Sequence, residues 1–148
     1  YGFPVIVSTH PRTRQRLEKF GVGGLDPRIQ FLKPFGFFDY VKLQMEARCV
    51  LSDSGTITEE ASLLNLCAIT IRNAHERPEG MDEGTVIMSG LKAERVLDAV
   101  RVAVAHWGGG AKTFHTVADY EAGQVSRKVL RIVMSYVDFV NRTVWSKN

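Results

Sequence analysis

The chain has 148 residues, a length that suits one domain, and 45% of them are hydrophobic, too many for a disordered chain. Its formal net charge of +3 and pI of about 9.0 are mildly basic, and the basic residues are spread along the sequence rather than clustered as in a nucleic-acid binder. No apolar run approaches the ~20 residues of a membrane span.

The order of elements reads as follows. An apolar run over residues 3–8 suits a buried strand and ends in Ser8, Thr9, His10 and Pro11. A helix fits 13–20 and is stopped by Gly21, Gly23 and Gly24; its Arg12, Arg14 and Arg16 read as a solvated face. A short strand over 29–32 leads into an aromatic stretch without period, Pro34 to Phe38, in which Phe35 and Phe38 are expected to pack. Asp39 is expected to cap a helix over 40–47. Strands are expected at 49–51, 68–71 and 85–88, and helices at 56–64 and 92–105. In the second of these helices Val96, Ala99, Val100, Ala103 and Val104 share one face. After Trp107 and three glycines a loop runs to about Gln124. A long helix follows over 125–145 with Val125, Val129, Ile132, Val133, Tyr136, Val137, Val140 and Val144 on one stripe. That stripe is expected to face a core or another domain. Strands alternating with helices imply an α/β fold with a mostly parallel sheet.

Cys49 and Cys67 sit in apolar surroundings without a CxxC or zinc spacing, so the expectation is two buried free thiols in a reducing compartment and no metal. The chain opens on Tyr1-Gly2-Phe3-Pro4-Val5 with no initiator Met. It is expected to be a piece of a longer protein, so the lack of a targeting segment says little about the parent.

In open parallel sheets ligands sit beyond the carboxyl ends of the strands. Four polar clusters fall there: His10, the stretch before Tyr40, residues 52–60, and residues 75–79. The most informative is Ser52-Asp53-Ser54-Gly55-Thr56-Ile57-Thr58-Glu59-Glu60, a strand running through a small-residue turn into a helix. The first amides of such a helix lack internal partners and the helix dipole adds positive charge, which suits a phosphate. Gly55 lets the backbone approach closely, the Ser54 and Thr56 hydroxyls can donate, and Glu60 can accept from ribose hydroxyls. An ordinary helix cap with an acidic first turn explains the same residues equally well. Arg77 can pair with a phosphate or with a surface carboxylate. His10 is either a phosphate or proton-transfer ligand or a turn residue, and Tyr40 is the ring expected beside a base. His75 and His115 are less informative, and His106 fits a helix C-terminus.

Taken in this order, Thr9-His10-Pro11, Pro34 to Tyr40, Asp53-Ser54-Gly55 with Glu59-Glu60, and Glu76-Arg77-Pro78-Glu79 resemble the non-hydrolysing UDP-N-acetylglucosamine 2-epimerase family over about residues 3–105. The stretches Ser8 to Arg14, Pro34 to Tyr40 and Ser135 to Trp145 look like its UDP-N-acetyl-L-fucosamine branch, which serves capsule or O-antigen synthesis. The resemblance implies a Rossmann-like parallel sheet flanked by helices. Residues 1–148 would then be a single UDP-binding domain, the C-terminal half of a two-domain enzyme of the glycosyltransferase-B type, with the long helix over 125–146 at its end. It implies that Ser54 and Gly55 hold the diphosphate, with Thr56 where many relatives carry a second glycine. Glu60 would hold the ribose, the stretch around Tyr40 would meet the uracil, and Arg77 and His10 would lie near the phosphates, His10 as the one catalytic candidate. The implied chemistry is anti elimination of UDP and re-addition with inverted C2, without cofactor or metal, in the cytoplasm. The implied partners are a UDP-sugar and an N-terminal domain that supplies carboxylates, with a homodimer of the parent as a further candidate, and neither nucleic acid nor membrane. The long C-terminal stripe is read as packing on that domain or on a second chain. Two other readings stand beside this one: a donor-nucleotide domain of a glycosyltransferase, against which the Glu-Arg-Pro-Glu motif speaks, and a nucleotide-binding domain without chemistry of its own.

Overall fold

Strand and helix boundaries follow from where backbone amides find acceptors, and several differ from the sequence expectation for that reason. The computed structural model describes residues 1–21, 23–74, 76–108 and 111–147, so His75 lies outside the described residues. The chain divides into two units, Tyr1–Ala47 and Arg48–Asn148.

In the first unit β1 (Val5–Ser8) and β2 (Ile29–Leu32) pair in parallel, with Val5 opposite Ile29 and Ser8 opposite Leu32. β1 starts at Val5 rather than Phe3 because Pro4 has no N–H to give to a ladder and Gly2 has a φ of 77°. The connection is α1 (Pro11–Lys19). Pro11 occupies its first turn, where a missing N–H costs nothing, so the helix begins two residues earlier than the pattern suggested. Arg16 and Lys19 suit the negative end of its dipole, and Gly21, at φ 62°, closes it with an N–H to the Glu18 carbonyl at 3.1 Å. The Arg12–Arg16 cluster is exposed on this helix, and Arg14 donates to the Phe31 carbonyl at 3.1 Å.

α2 (Phe37–Glu46) starts earlier than expected, and the aromatic stretch supplies its first turn. Gly36 in extended conformation is the N-cap, and its carbonyl accepts from the Tyr40 amide at 2.9 Å. Asp39 is therefore not the cap but an acidic first-turn residue whose carboxylate folds back to within 3.6 Å of where a Gly36 Cβ would stand. Phe38 does not pack: it is 84% exposed and makes an edge-to-face contact with Phe37 at 5.5 Å, whereas Phe35 is half-buried.

The second unit holds a parallel three-stranded sheet in the order β3 (Val50–Ser52), β4 (Ala68–Thr70), β5 (Ile87–Met88). All three residues of the central strand are buried, and Ile69 is 0% exposed. α3 (Ile57–Leu64) joins β3 to β4 and buries Ile57, Thr58, Ala61 and Ser62; Asn65 ends it in the left-handed conformation. α4 (Glu79–Asp82) precedes β5, which is two residues shorter than expected because the Thr85 and Val86 amides are committed to the Gly80 carbonyl, at 2.9 and 3.3 Å. α5 (Ala93–His106) places Ala99 in the core with Val96, Val100, Ala103 and Val104 partly covered, the face its spacing marks, and carries His106 in its last turn. Cys67 is buried and Cys49 only half-buried, so the expectation of two buried thiols holds for one of them; both are free.

The stretch after α5 contains a short 3-10 helix, Ala118–Glu121, anchored where Val117 is buried and its N–H donates to Ser62 Oγ at 2.9 Å. α6 (Val125–Thr143) is strongly amphipathic yet has no buried residue: Ile132, Val133 and Val137 are all exposed. Its stripe finds no core among the described residues. No helix among them is long and apolar enough to cross a membrane.

Candidate functional site

The turn between β3 and α3 is built from short hydroxyl side chains that bond one another. Ser52 Oγ accepts from the Ser54 amide at 3.1 Å, and Ser54 Oγ accepts from the Thr56 amide at 3.3 Å. Thr56 Oγ1 donates to Glu60 Oε1 at 2.9 Å. Ser54 Oγ lies 2.9 Å from Thr56 Oγ1, and since a hydroxyl has a single proton, Ser54 is the donor in this arrangement. A polarised chain Ser54–Thr56–Glu60 results. The residue expected to hold phosphate and the one expected to hold ribose are thus joined by the Thr56 hydroxyl. Thr56 is the N-cap of α3 by position, and the first helical bond, from Thr58 to the Gly55 carbonyl, is long at 3.4 Å. The Ser54, Thr56 and Thr58 amides are thus all engaged within the turn.

Gly55 matters for a reason the sequence did not show. A Cβ there would stand 2.8 Å from Arg77 Nη1 and 3.7 Å from Arg72 Nη1. The absent side chain makes room for two guanidinium groups above the turn. Arg77 Nε pairs with Glu59 Oε1 at 3.1 Å, so the carboxylate left without a role in the sequence orients the arginine. Glu59 Oε2 is enclosed without a hydrogen-bond partner among the described residues. Arg72 was missed by sequence reasoning. Its signal was its position just past the carboxyl end of β4, where the Ile71 amide still bonds Ser52 O at 2.9 Å.

Tyr120 was also missed, because it lies in a stretch without periodicity. Its hydroxyl donates to Glu79 Oε1 at 2.7 Å. Partial burial, and then the Glu79 carboxylate, push this phenol well above its usual range, so it stays a donor at any working pH. Ser54, Gly55, Thr56, Glu60 and Arg77 are thereby brought together at one edge of the second unit. His10 and Tyr40 belong to the first unit. His10 is the N-cap of α1 and its Nδ1 accepts from the Arg12 amide at 3.3 Å, which puts the neutral ring's proton on Nε2. The turn role weighed for it is present; Tyr40 is half-buried on α2.

A cavity of about 200 Å³ lies at the opposite, amino end of β4 and β5, lined by Leu66, Cys67, Val86, Ala103, Trp107 and Phe114 among others. Its walls are mostly apolar, with Ser62, Asn65, His106 and Lys112 among the polar residues that also line it. Among the described residues no group of three His, Cys, Asp or Glu stands close enough to hold a metal ion.

Residues 1–134 match the family model described as UDP-N-acetylglucosamine 2-epimerase. The chain is 34% identical over 105 residues to the UDP-N-acetylglucosamine 2-epimerase of Methanocaldococcus jannaschii, covering 69% of this chain and 29% of that protein. It superposes on the structure of UDP-N-acetylglucosamine 2-epimerase from Rickettsia bellii with a TM-score of 0.89 at 62% identity, over 99% of this chain and 40% of that one. The M. jannaschii enzyme in complex with UDP-GlcNAc and UDP matches with a TM-score of 0.75 at 28% identity, over 89% of this chain and 36% of that one. The chain thus spans well under half the length of these relatives. Its α/β architecture of parallel strands flanked by helices is theirs, and with nearly all of its length matched, the chain belongs to the UDP-N-acetylglucosamine 2-epimerase family.

Proposed function

We propose that this chain is the UDP-binding part of a UDP-sugar C2 epimerase. The observation that carries the reading is the placement of the Arg77 guanidinium, with Arg72 nearby, over Gly55 at the opening of α3. Two cations, a helix N-terminus and the Ser54 and Thr56 hydroxyls converge on one small volume, which is the requirement of a diphosphate. Glu60, already accepting from Thr56, is then the acceptor for ribose hydroxyls. A diphosphate arriving at Ser54 redirects the Ser54–Thr56–Glu60 chain, so the two halves of the nucleotide are sensed together. The relative described in complex with UDP-GlcNAc and UDP supports the same ligand class. Tyr40 as the uracil neighbour and His10 as a phosphate or proton-transfer residue rest on the resemblance of their motifs.

Elimination across C1 and C2 of the sugar sends the C2 proton to a base and the C1–O bond electrons to UDP, and re-addition returns the proton from the other face. The residues of this turn serve the departing diphosphate, where negative charge grows in the transition state. They offer no base for C2: Glu59 is taken by Arg77, and Glu79 by Tyr120. The base is assigned to the part of the parent that this chain lacks, and the uncovered stripe of α6 fits packing against that part or a second copy. The motifs at 8–14, 34–40 and 135–145 support the UDP-N-acetyl-L-fucosamine branch, a cytoplasmic step toward a surface polysaccharide.

Titration with UDP, followed by amide chemical shifts, tests the site. The amides of residues 54–57 are expected to move first; movement confined to remote residues would place the nucleotide elsewhere. In the parent enzyme Glu60→Ala is expected to raise KM more than it lowers kcat, since a ribose contact is similar in the ground and transition states. Product analysis with UDP-N-acetylglucosamine and with UDP-2-acetamido-2,6-dideoxy-L-talose, the substrate that the resemblance to the fucosamine branch implies, then decides the sugar.

A further inference from the structure

We infer that Tyr120 is a positioning residue for the diphosphate site, acting through Glu79 to hold Arg77 above Gly55; the inference rests on the UDP-binding reading of that turn.

Arg77 stands two residues before Glu79, the first residue of α4, with Pro78 fixed between them at φ −67°. Where α4 begins therefore decides where the guanidinium can reach. Two ties fix that beginning. One is steric: Gly80 lies so close to α3 that a Cβ would overlap the Thr58 methyl. The other is the hydrogen bond from Tyr120 to Glu79, spanning 41 positions of sequence. The Tyr120 segment is itself pinned to α3 by the bond from the Val117 amide to Ser62 Oγ. α3 carries Glu59 and Glu60 at its start and Ser62 farther along. The arginine is thus held from both ends: its guanidinium by Glu59 and its backbone by the Tyr120–Glu79 bond. A phenol suits the task because its proton stays on across the working range, so the tie has no pH switch near neutrality.

The experiment uses the whole protein that carries this chain, with Tyr120→Phe as the variant and Tyr136→Phe on α6 as the control. Two quantities are read. The first is the Arg77 Nε–H signal without nucleotide: slow exchange with solvent in the wild type and the control, and at least tenfold faster exchange in Tyr120→Phe. The second is UDP affinity, expected to fall about tenfold in Tyr120→Phe, the scale of one partly buried hydrogen bond. KM is expected to rise and kcat to fall with it, since Arg77 also faces the charge that grows on the departing diphosphate; general loss of folded protein would lower kcat and leave KM unchanged. An Arg77 signal identical in wild type and Tyr120→Phe overturns the inference, whatever the affinity. Failure of the wild type to bind UDP overturns the proposed function instead, and the Arg77 signal still decides whether Tyr120 positions it.

Discussion

β1 and β4 are both short runs of small and branched apolar residues, and both pair in parallel, yet they end in opposite environments. In β1 Val5 and Ile6 remain 50% and 42% exposed, whereas Ala68, Ile69 and Thr70 of β4 are closed off entirely. Among the described residues of the first unit, those fully buried are Thr9 and Gln44, both polar. The second unit concentrates the buried hydrophobic side chains, Ile57, Ala61, Ile69, Val86, Ala99 and Val117 among them. A strand-forming sequence specifies pairing; how much each strand stabilises depends on what covers it. A central strand under α3 and α5 loses water on both faces, and a two-stranded ladder does not.

The sharpest way to break this comparison is to truncate matched isoleucines. Ile69→Ala removes a side chain with no exposure and is expected to cost ~2–5 kcal/mol, while Ile6→Ala, 42% exposed, should cost under ~1 kcal/mol. Urea unfolding of both variants measures the difference, and equal losses would mean that β1 has a cover in solution. Glycines give the next contrast. Gly80→Ala drives a methyl into Thr58, a fully buried β-branched residue, and should cost ~1–3 kcal/mol; Gly23→Ala, whose Cβ would meet nothing closer than 3.9 Å, should be neutral within about 0.5 kcal/mol. Thermal melts check both.

Gly55→Ala sharpens the comparison inside the second unit, because here the neighbour is the mobile end of a side chain. Arg77 can swing away from a Cβ at 2.8 Å, so stability should change by less than about 1 kcal/mol while UDP affinity falls about tenfold. Calorimetry with UDP alongside a melt separates the two effects. The smallest effect is at alkaline pH. Tyr120 has its phenol raised above the ordinary value of 10.0, so its stabilising contribution is complete below pH 10 and drains away as the pH climbs from there toward the folded-state value. Stability measured against pH should fall less steeply above 10 in Tyr120→Phe than in the wild type.

The family was legible from its motifs, Asp53-Ser54-Gly55 with Glu59-Glu60 followed by Glu76-Arg77-Pro78-Glu79, whereas the turn taken alone suits an ordinary helix cap equally well. The apolar face of α5 was legible too, since Val96, Ala99, Val100, Ala103 and Val104 repeat with the helix. Boundaries were less so. Asp39 looked like a cap because Asp favours that position, but the chain after Pro34 leaves Gly36 to do it, and the helix absorbs Phe37 and Phe38.

What the sequence determined by itself is what depends on near neighbours in the chain: the alternation of strand and helix, the turn at 52–56, the helix dipole behind it, and the amphipathic stripe of α6. Tertiary structure alone decided which carboxylate holds which cation. Glu59 reaches Arg77 across 18 positions and Tyr120 reaches Glu79 across 41, and Arg72 and Arg77, both from the connection after β4, come over Gly55 at the end of β3. No periodicity encodes such pairs. They are set by how closely α3 and α4 approach, and that closeness depends on a glycine whose missing methyl becomes meaningful only when the two helices meet.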